Sequence, residues 1–158
     1  MSVLKPAEIV EIGIEKEKKR RDFYALAAEQ FEDNDPLAEL FIKLRDWEAE
    51  HIRKFNEIRS KIAGGGYAED YPGEMEGYMD ALVNSDLYDD INPEDFAKSI
   101  TTPAQALDRG IAFEKDAILF FSGLSRFLDE SFGDIIKQLI DEERQHMVYL
   151  AKLKKEIA

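Results

Sequence analysis

The chain has 158 residues, no cysteine and a formal net charge of -13. The length suits one domain with a real core, and the charge opposes binding to nucleic-acid phosphates or anionic membranes. The absent thiols exclude disulfides, zinc ribbons and thiolate-held iron.

The opening MSVLKPAEIVEIG has no long apolar run, so neither a signal peptide nor a membrane span is expected, and the reading is cytoplasmic. From there the pattern is helical. A first helix is expected over 6–31, begun by Pro6, with Val10, Ile14, Glu17, Arg21, Tyr24, Ala28 and Phe31 on one stripe. A second, over 36–62, has Asp35 as its cap and Leu37, Phe41, Leu44, Glu48, His51, Phe55, Ile58 and Ile62 on its stripe. The stretch 63–102, rich in Gly, Pro and Tyr, is too long for a turn and reads as a crossover with short helices at 74–83 and 93–100. Its four tyrosines are expected to anchor it to the helices. A third helix, over 103–128 and capped by Thr102, carries Leu107, Ile111, Glu114, Ile118, Phe121, Leu124 and Leu128. A fourth, over 132–157, carries Phe132, Ile136, Leu139, Glu143, His146, Leu150, Leu153 and Ile157, with Ser131 and Asp134 resembling a capping box.

Short links make two antiparallel hairpins, so the expected fold is an all-α bundle of four helices. The hairpins look like copies. GIEKEKKRRDFYALA (13–27) aligns with GIAFEKDAILFFSGL (110–124), pairing Gly13 with Gly110, Glu17 with Glu114 and Tyr24 with Phe121. DWEAEHIRKF (46–55) aligns with DEERQHMVYL (141–150), pairing Glu48 with Glu143 and His51 with His146.

Both histidines thus follow a glutamate by three residues, so each pair shares a helix face. Glu17, Glu48, Glu114 and Glu143 each lie eleven or twelve residues into their helices, about 16–18 Å at 1.5 Å per residue. Facing one axis, they and the two histidines make a single layer. Buried unpaired carboxylates cost several kcal/mol each and repel one another, so the layer must take up protons or cations. Two divalent ions would neutralise four carboxylates. Oxygen-rich ligation with imidazole suits iron or manganese, and zinc can enter. The alternative is an internal salt-bridge cluster supported by Arg21 and Arg144.

One Glu on each of the first and third helices, with ExxH on the second and fourth, resembles the ferritin-like di-iron carboxylate proteins. Within that group EKEKKRRDFYALAAE and WEAEHIRKF are most similar to the rubrerythrin-type domain. The resemblance implies a ferritin-like four-helix bundle and a di-iron centre held by Glu17, Glu48, His51, Glu114, Glu143 and His146. It also implies that Glu48 and Glu143 bridge the metals while Glu17 and Glu114 are terminal. Two departures stand out: the chain lacks the cysteines of a rubredoxin-like domain, so a separate electron donor is implied, and Ala117 stands where rubrerythrins carry a further Glu. Ala49 replaces the Met that can hold haem in bacterioferritin.

Elsewhere the expectations are plainer. Tyr24 is expected to pack in the core, with contact to the site as the other reading. Phe113, Phe120, Phe121 and Phe127 are expected to be core, and EKEKKRRD a solvated helix face. The function expected is reduction of peroxide or dioxygen, a small oxidant, by a homodimer fed by a rubredoxin-like donor, with neither nucleic acid nor membrane as partner. Iron storage and a metal-stabilised module without turnover are the other readings.

Overall fold

A computed structural model of the chain describes residues 6–62, 88–89, 91–126, 128 and 130–157. Those residues are helical: α1 Pro6–Gln30, α2 Asp35–Ile62, the short α3 Pro93–Ser99, α4 Pro103–Leu124 and α5 Gly133–Ile157, with a 3₁₀ turn at Glu130–Phe132. Among them, no helix is long and apolar enough to cross a membrane. The expected helix at 74–83 and Tyr67, Tyr71, Tyr78 and Phe127 lie outside the described residues.

The helix ends follow local chemistry. Asn34, not the expected Asp35, caps α2: its Oδ1 accepts from the Leu37 N–H at 3.3 Å. Thr102 caps α4 in a full capping box with Gln105. α4 stops at Leu124 rather than at 128, where Ser125 and Arg126 donate their N–H groups back to Phe121 and Gly123 and tighten the chain into a turn. Ser131 falls within the 3₁₀ turn, so the expected box with Asp134 gives way to that turn, which buries Phe132.

The long helices pack antiparallel. In α1 and α2, Glu11 meets Arg59 at 2.7 Å and Tyr24 stacks near Phe41 at 6.0 Å. In α4 and α5, Asp108 meets Lys154 at 2.5 Å and Glu114 meets His146 at 3.6 Å. Lys16 to Asp116 ties α1 to α4, and His51 to Glu142 and Glu143 ties α2 to α5.

The apolar residues form two clusters rather than one. The first gathers Ile9 to Ile14 of α1, Phe55 to Ile62 of α2, Ala117 to Leu124 of α4 and Ile136 with Leu139 of α5. The second gathers Phe23 to Ala28, Leu37 to Leu44, Ala106 to Phe113 and Leu150 with Leu153 of the same four helices. On every long helix the gap between the clusters holds the acidic or imidazole residues singled out above. The two apolar masses therefore close over a polar layer from above and below.

α1 is buried over a wider arc than its stripe predicts. Lys16 and Arg20, in the run expected to be solvated, are 6% and 1% exposed. The cause is a third neighbour: Tyr88, in the crossover, stacks on Phe113 at 4.8 Å, and Phe96 of α3 meets Phe23 at 5.4 Å. Tyr88 and α3 thus cover the flank between α1 and α4.

Gly13 and Gly110 each lie one turn before a layer glutamate, but their surroundings differ. A Cβ at Gly13 would meet the Phe120 and Phe55 rings at 2.8 and 2.9 Å, whereas at Gly110 it would meet Leu150 methyls at 3.1 and 3.2 Å. Gly13→Ala should therefore lose roughly 1–3 kcal/mol to overpacking, while Gly110→Ala should be near neutral, because the flexible Leu150 tip yields and the helix gains propensity. Urea unfolding of the two variants checks this.

Candidate metal centre

The polar layer is buried. Glu17, Glu48, Glu114 and Glu143 are all fully buried, His51 is 1% and His146 4% exposed. All six residues predicted to meet do meet. They fall into two sets of four, Glu17–Glu48–His51–Glu143 and Glu48–Glu114–Glu143–His146, and within each set the potential ligand atoms lie within 4.8 Å of one another. Each set could hold a metal ion, and Glu48 and Glu143 belong to both.

The orientation of the shared carboxylates is specific. Glu48 turns Oε2 toward His51 Nδ1 at 3.8 Å and Oε1 toward His146 Nδ1 at 3.7 Å. Glu143 turns Oε1 toward His51 Nδ1 at 2.5 Å and Oε2 toward His146 Nδ1 at 3.7 Å. The terminal carboxylates differ in that one oxygen of each is already occupied. Glu17 Oε1 accepts from Arg20 Nη2 at 2.5 Å, and Glu114 Oε1 accepts from the Tyr24 hydroxyl at 2.6 Å.

What remains tests the fit to metal. Among the described residues, eight buried atoms of these six side chains make no well-aligned hydrogen bond: Glu17 Oε2, both oxygens of Glu48, His51 Nδ1, Glu114 Oε2, both oxygens of Glu143 and His146 Nδ1, with only His51 Nδ1 and Glu143 Oε1 in close contact, at 2.5 Å. Orphaned acceptors are costly in a dry interior, and eight make two shells of four. The donor set, three carboxylate oxygens and one imidazole nitrogen per ion, suits iron or manganese with positions left open, and zinc fits a four-atom shell.

Groups around the layer fix its ligand atoms. His51 Nε2 meets Glu142 Oε2 at 2.6 Å, so Nε2 carries a proton for that carboxylate and Nδ1 turns inward. Glu142 is held in turn by Lys54 at 3.0 Å. His146 lies flat on Trp47, with ring centroids 5.0 Å apart and planes 9° apart, and Trp47 stacks on Tyr149 at 5.6 Å. A cavity of about 260 Å³ lined by Trp47, Glu50, Lys54, Glu142, Gln145, His146 and Tyr149 reaches the layer from the α2–α5 side. The opposite flank is filled: Arg20 Nη1 donates to the Tyr88 hydroxyl at 2.6 Å, Tyr88 donates to Asp116 at 2.6 Å, and Lys16 pairs with Asp116 at 2.9 Å.

Arg21 and Arg144, named as bases for a salt-bridge cluster, do not take that part. Arg21 pairs with its neighbour Asp22, and Arg144 with Asp141 on an exposed face. The buried base is Arg20. The clue to it was present, since Arg20 lies three residues after Glu17 and so shares its face. Lys16, Asp116 and Tyr88 carried no such clue, because their partners come from distant parts of the chain. Tyr24 packs in the core and also touches the site, while Phe113, Phe120 and Phe121 are buried among apolar neighbours.

Protons take up part of the cation charge when metal is absent. Burial opposes charge on both imidazoles, yet Glu143 and Glu142 raise His51 well above its ordinary value, and Glu143 and Glu48 raise His146 to about 10. Burial likewise lifts the Glu17 carboxyl well above the usual range, against the pull of Arg20. Glu143 goes the other way, because the two histidines outweigh its burial. Two imidazoliums therefore stand in for two cations.

Comparison with protein-family models, curated proteins and solved structures finds no match to this chain.

The raised imidazoles set a pH dependence. Their stabilising effect in the metal-free protein is complete below about 6.5, the ordinary histidine value, and is lost as pH rises through the folded value, about 10 for His146. The unfolding temperature of metal-free protein should fall between pH 7 and pH 9.5. Loading with zinc should abolish that fall, with protons released on binding. Calorimetric melting across this range, with and without zinc, is the measurement.

Proposed function

We propose that the protein is a di-iron carboxylate redox protein with a ferritin-like, two-hairpin topology, reducing peroxide or dioxygen with electrons from a separate donor protein. The observation that supports this best is the pair of overlapping four-residue sets that share Glu48 and Glu143, with one unsatisfied oxygen of each shared carboxylate directed at each imidazole. In this reading Glu17, Glu48, His51 and Glu143 would hold one ion, and Glu48, Glu114, Glu143 and His146 the other. Iron bound there would supply one-electron steps and open positions for a small oxidant.

The chain's own residues then have defined work. Tyr24 and Arg20 each occupy one oxygen of Glu114 and Glu17, so each of these carboxylates would have a single oxygen with which to hold an ion. Tyr24 can hold its proton because burial raises the phenol well above its ordinary range. Glu142 sets the tautomer of His51, and Trp47 fixes the ring plane of His146. The two apolar clusters exclude bulk water, so the site reacts with what arrives by the α2–α5 cavity. For peroxide the balance is one molecule, two electrons and two protons giving two waters. The electrons come from a one-electron donor such as a rubredoxin-like protein, and a homodimer is the proposed assembly.

Anaerobic titration with ferrous iron should saturate at two ions per chain. Peroxide added to that form should oxidise both ions within seconds, faster than dioxygen, and a reductant should restore them through repeated cycles. Residual ferrous iron, assayed with a chelating dye after rapid mixing, reports the rate. Oxidation in a single turnover with growth of a mineral core in a large hollow assembly would instead indicate storage. Binding without oxidation would indicate a structural role.

A further inference from the structure

We propose that the α2–α5 cavity is a binding site for a small aromatic carboxylate, whose acid group accepts a hydrogen bond from Nε2 of His146. This rests on the reading of Glu48, Glu114, Glu143 and His146 as an ion site.

The internal repeat shows what the cavity lacks. Its lining is three pairs of counterparts, Trp47 with Glu142, Glu50 with Gln145 and Lys54 with Tyr149, together with His146. Around His51 these positions do defined work: Glu142 meets His51 Nε2 at 2.6 Å and is held by Lys54 at 3.0 Å. Beside His146 the same two positions are Trp47 and Tyr149, which offer no carboxylate. His146 is buried, and its contacts to Glu48, Glu114 and Glu143, at 3.6 to 3.7 Å, are all made by Nδ1. With Nδ1 on an ion, the ring's one proton sits on Nε2, and among the described residues no acceptor meets it. The free N–H of a metal-bound imidazole normally has an acceptor. A ligand in the cavity would supply the one that Glu142 supplies to His51.

The lining sets the class of that ligand. Trp47 and Tyr149 stack into a flat apolar wall, which suits an aromatic body. Glu142 takes one of the three N–H groups of Lys54, and Gln145 adds a carboxamide. Donors from His146, Lys54 and Gln145 around one apolar cavity favour a carboxylate, which accepts on two oxygens. Glu142 is already paired, and Glu50 is exposed and paired with Arg53, so solvent screens its opposition. The volume of about 260 Å³ is far more than a small oxidant fills, since a water takes about 30 Å³. It suits an acid with a single ring. Bound there, the carboxylate would make His146 a stronger ligand, as Glu142 does for His51.

The full chain is loaded with zinc and titrated with benzoate, with no turnover. Benzoate should saturate with a Kd of about a millimolar, read from the fluorescence of Trp47, the chain's one tryptophan. In protein with nitrogen-labelled histidine, one of the two Nε2 resonances should shift along the same curve while the other stays. Benzamide, which has the ring without the charge, and acetate, which has the charge without the ring, should each bind roughly tenfold more weakly. Lys54→Met should weaken benzoate by roughly tenfold, and Lys54→Arg should not. Absence of saturation, benzamide binding as tightly as benzoate, or histidine resonances that both stay or both move would each overturn the proposal. Should Lys54→Met lose its helical circular dichroism or its zinc, the benzamide comparison and the histidine resonances decide alone. Failure of the native chain to bind zinc would instead reject the ion site itself.

Discussion

Four carboxylates with no access to water dominate this molecule. A bundle of this size gains stability by burying apolar side chains, and each ionised carboxylate placed inside works against that gain. The apolar core is accordingly divided in two by the layer. Such a division is tolerable only when positive charge resides in the layer as well. In the metal-free protein two raised imidazoles and Arg20 provide it, with His51 Nδ1 2.5 Å from Glu143 Oε1.

The two flanks of the layer are built for different ends. On the α1–α4 flank, Tyr88, Asp116, Lys16 and Arg20 form a hydrogen-bonded and ion-paired network. A network of this kind, with every member paired across distant segments, rigidifies what it touches, and what it touches is Glu17. On the α2–α5 flank the wall is made of Trp47 and Tyr149 beside an open cavity. One flank holds the ligands still and the other gives access. A long crossover therefore does more than join two hairpins: its Tyr88 hydroxyl is part of the clamp on the layer.

The layer residues were legible in the sequence because two regularities overlapped. Helical spacing put each glutamate and histidine on an apolar stripe, and the internal repeat gave each one a counterpart. The helices themselves were legible to within a few residues for the same reason, with Asn34 replacing Asp35 as a cap because its carboxamide lies one residue closer to the turn. Arg20, Lys16 and Asp116 were hidden for a physical reason. A basic run on a helix is normally solvated, and only the packing of Tyr88 and Phe96 on that flank buries it. Such burial depends on where a long connection lies, and spacing within a helix does not encode that. Glu142 was hidden differently, since its partner His51 belongs to the other hairpin.

Duplication also explains how the layer is divided between the halves. The set around His51 takes Glu17, Glu48 and His51 from the first hairpin and only Glu143 from the second, while the set around His146 takes Glu114, Glu143 and His146 from the second and only Glu48 from the first. Neither hairpin completes a set of four, so the halves are held together by the exchange of one carboxylate each. Phe121, the counterpart of Tyr24, has no hydroxyl to offer Glu17. Arg20 does that work instead, where the second copy has Ala117. Likewise Trp47 covers His146, whereas its counterpart Glu142 bonds His51. The six layer residues preserve the symmetry and the groups that touch them break it, so any difference between the two sets has to arise in those neighbouring groups.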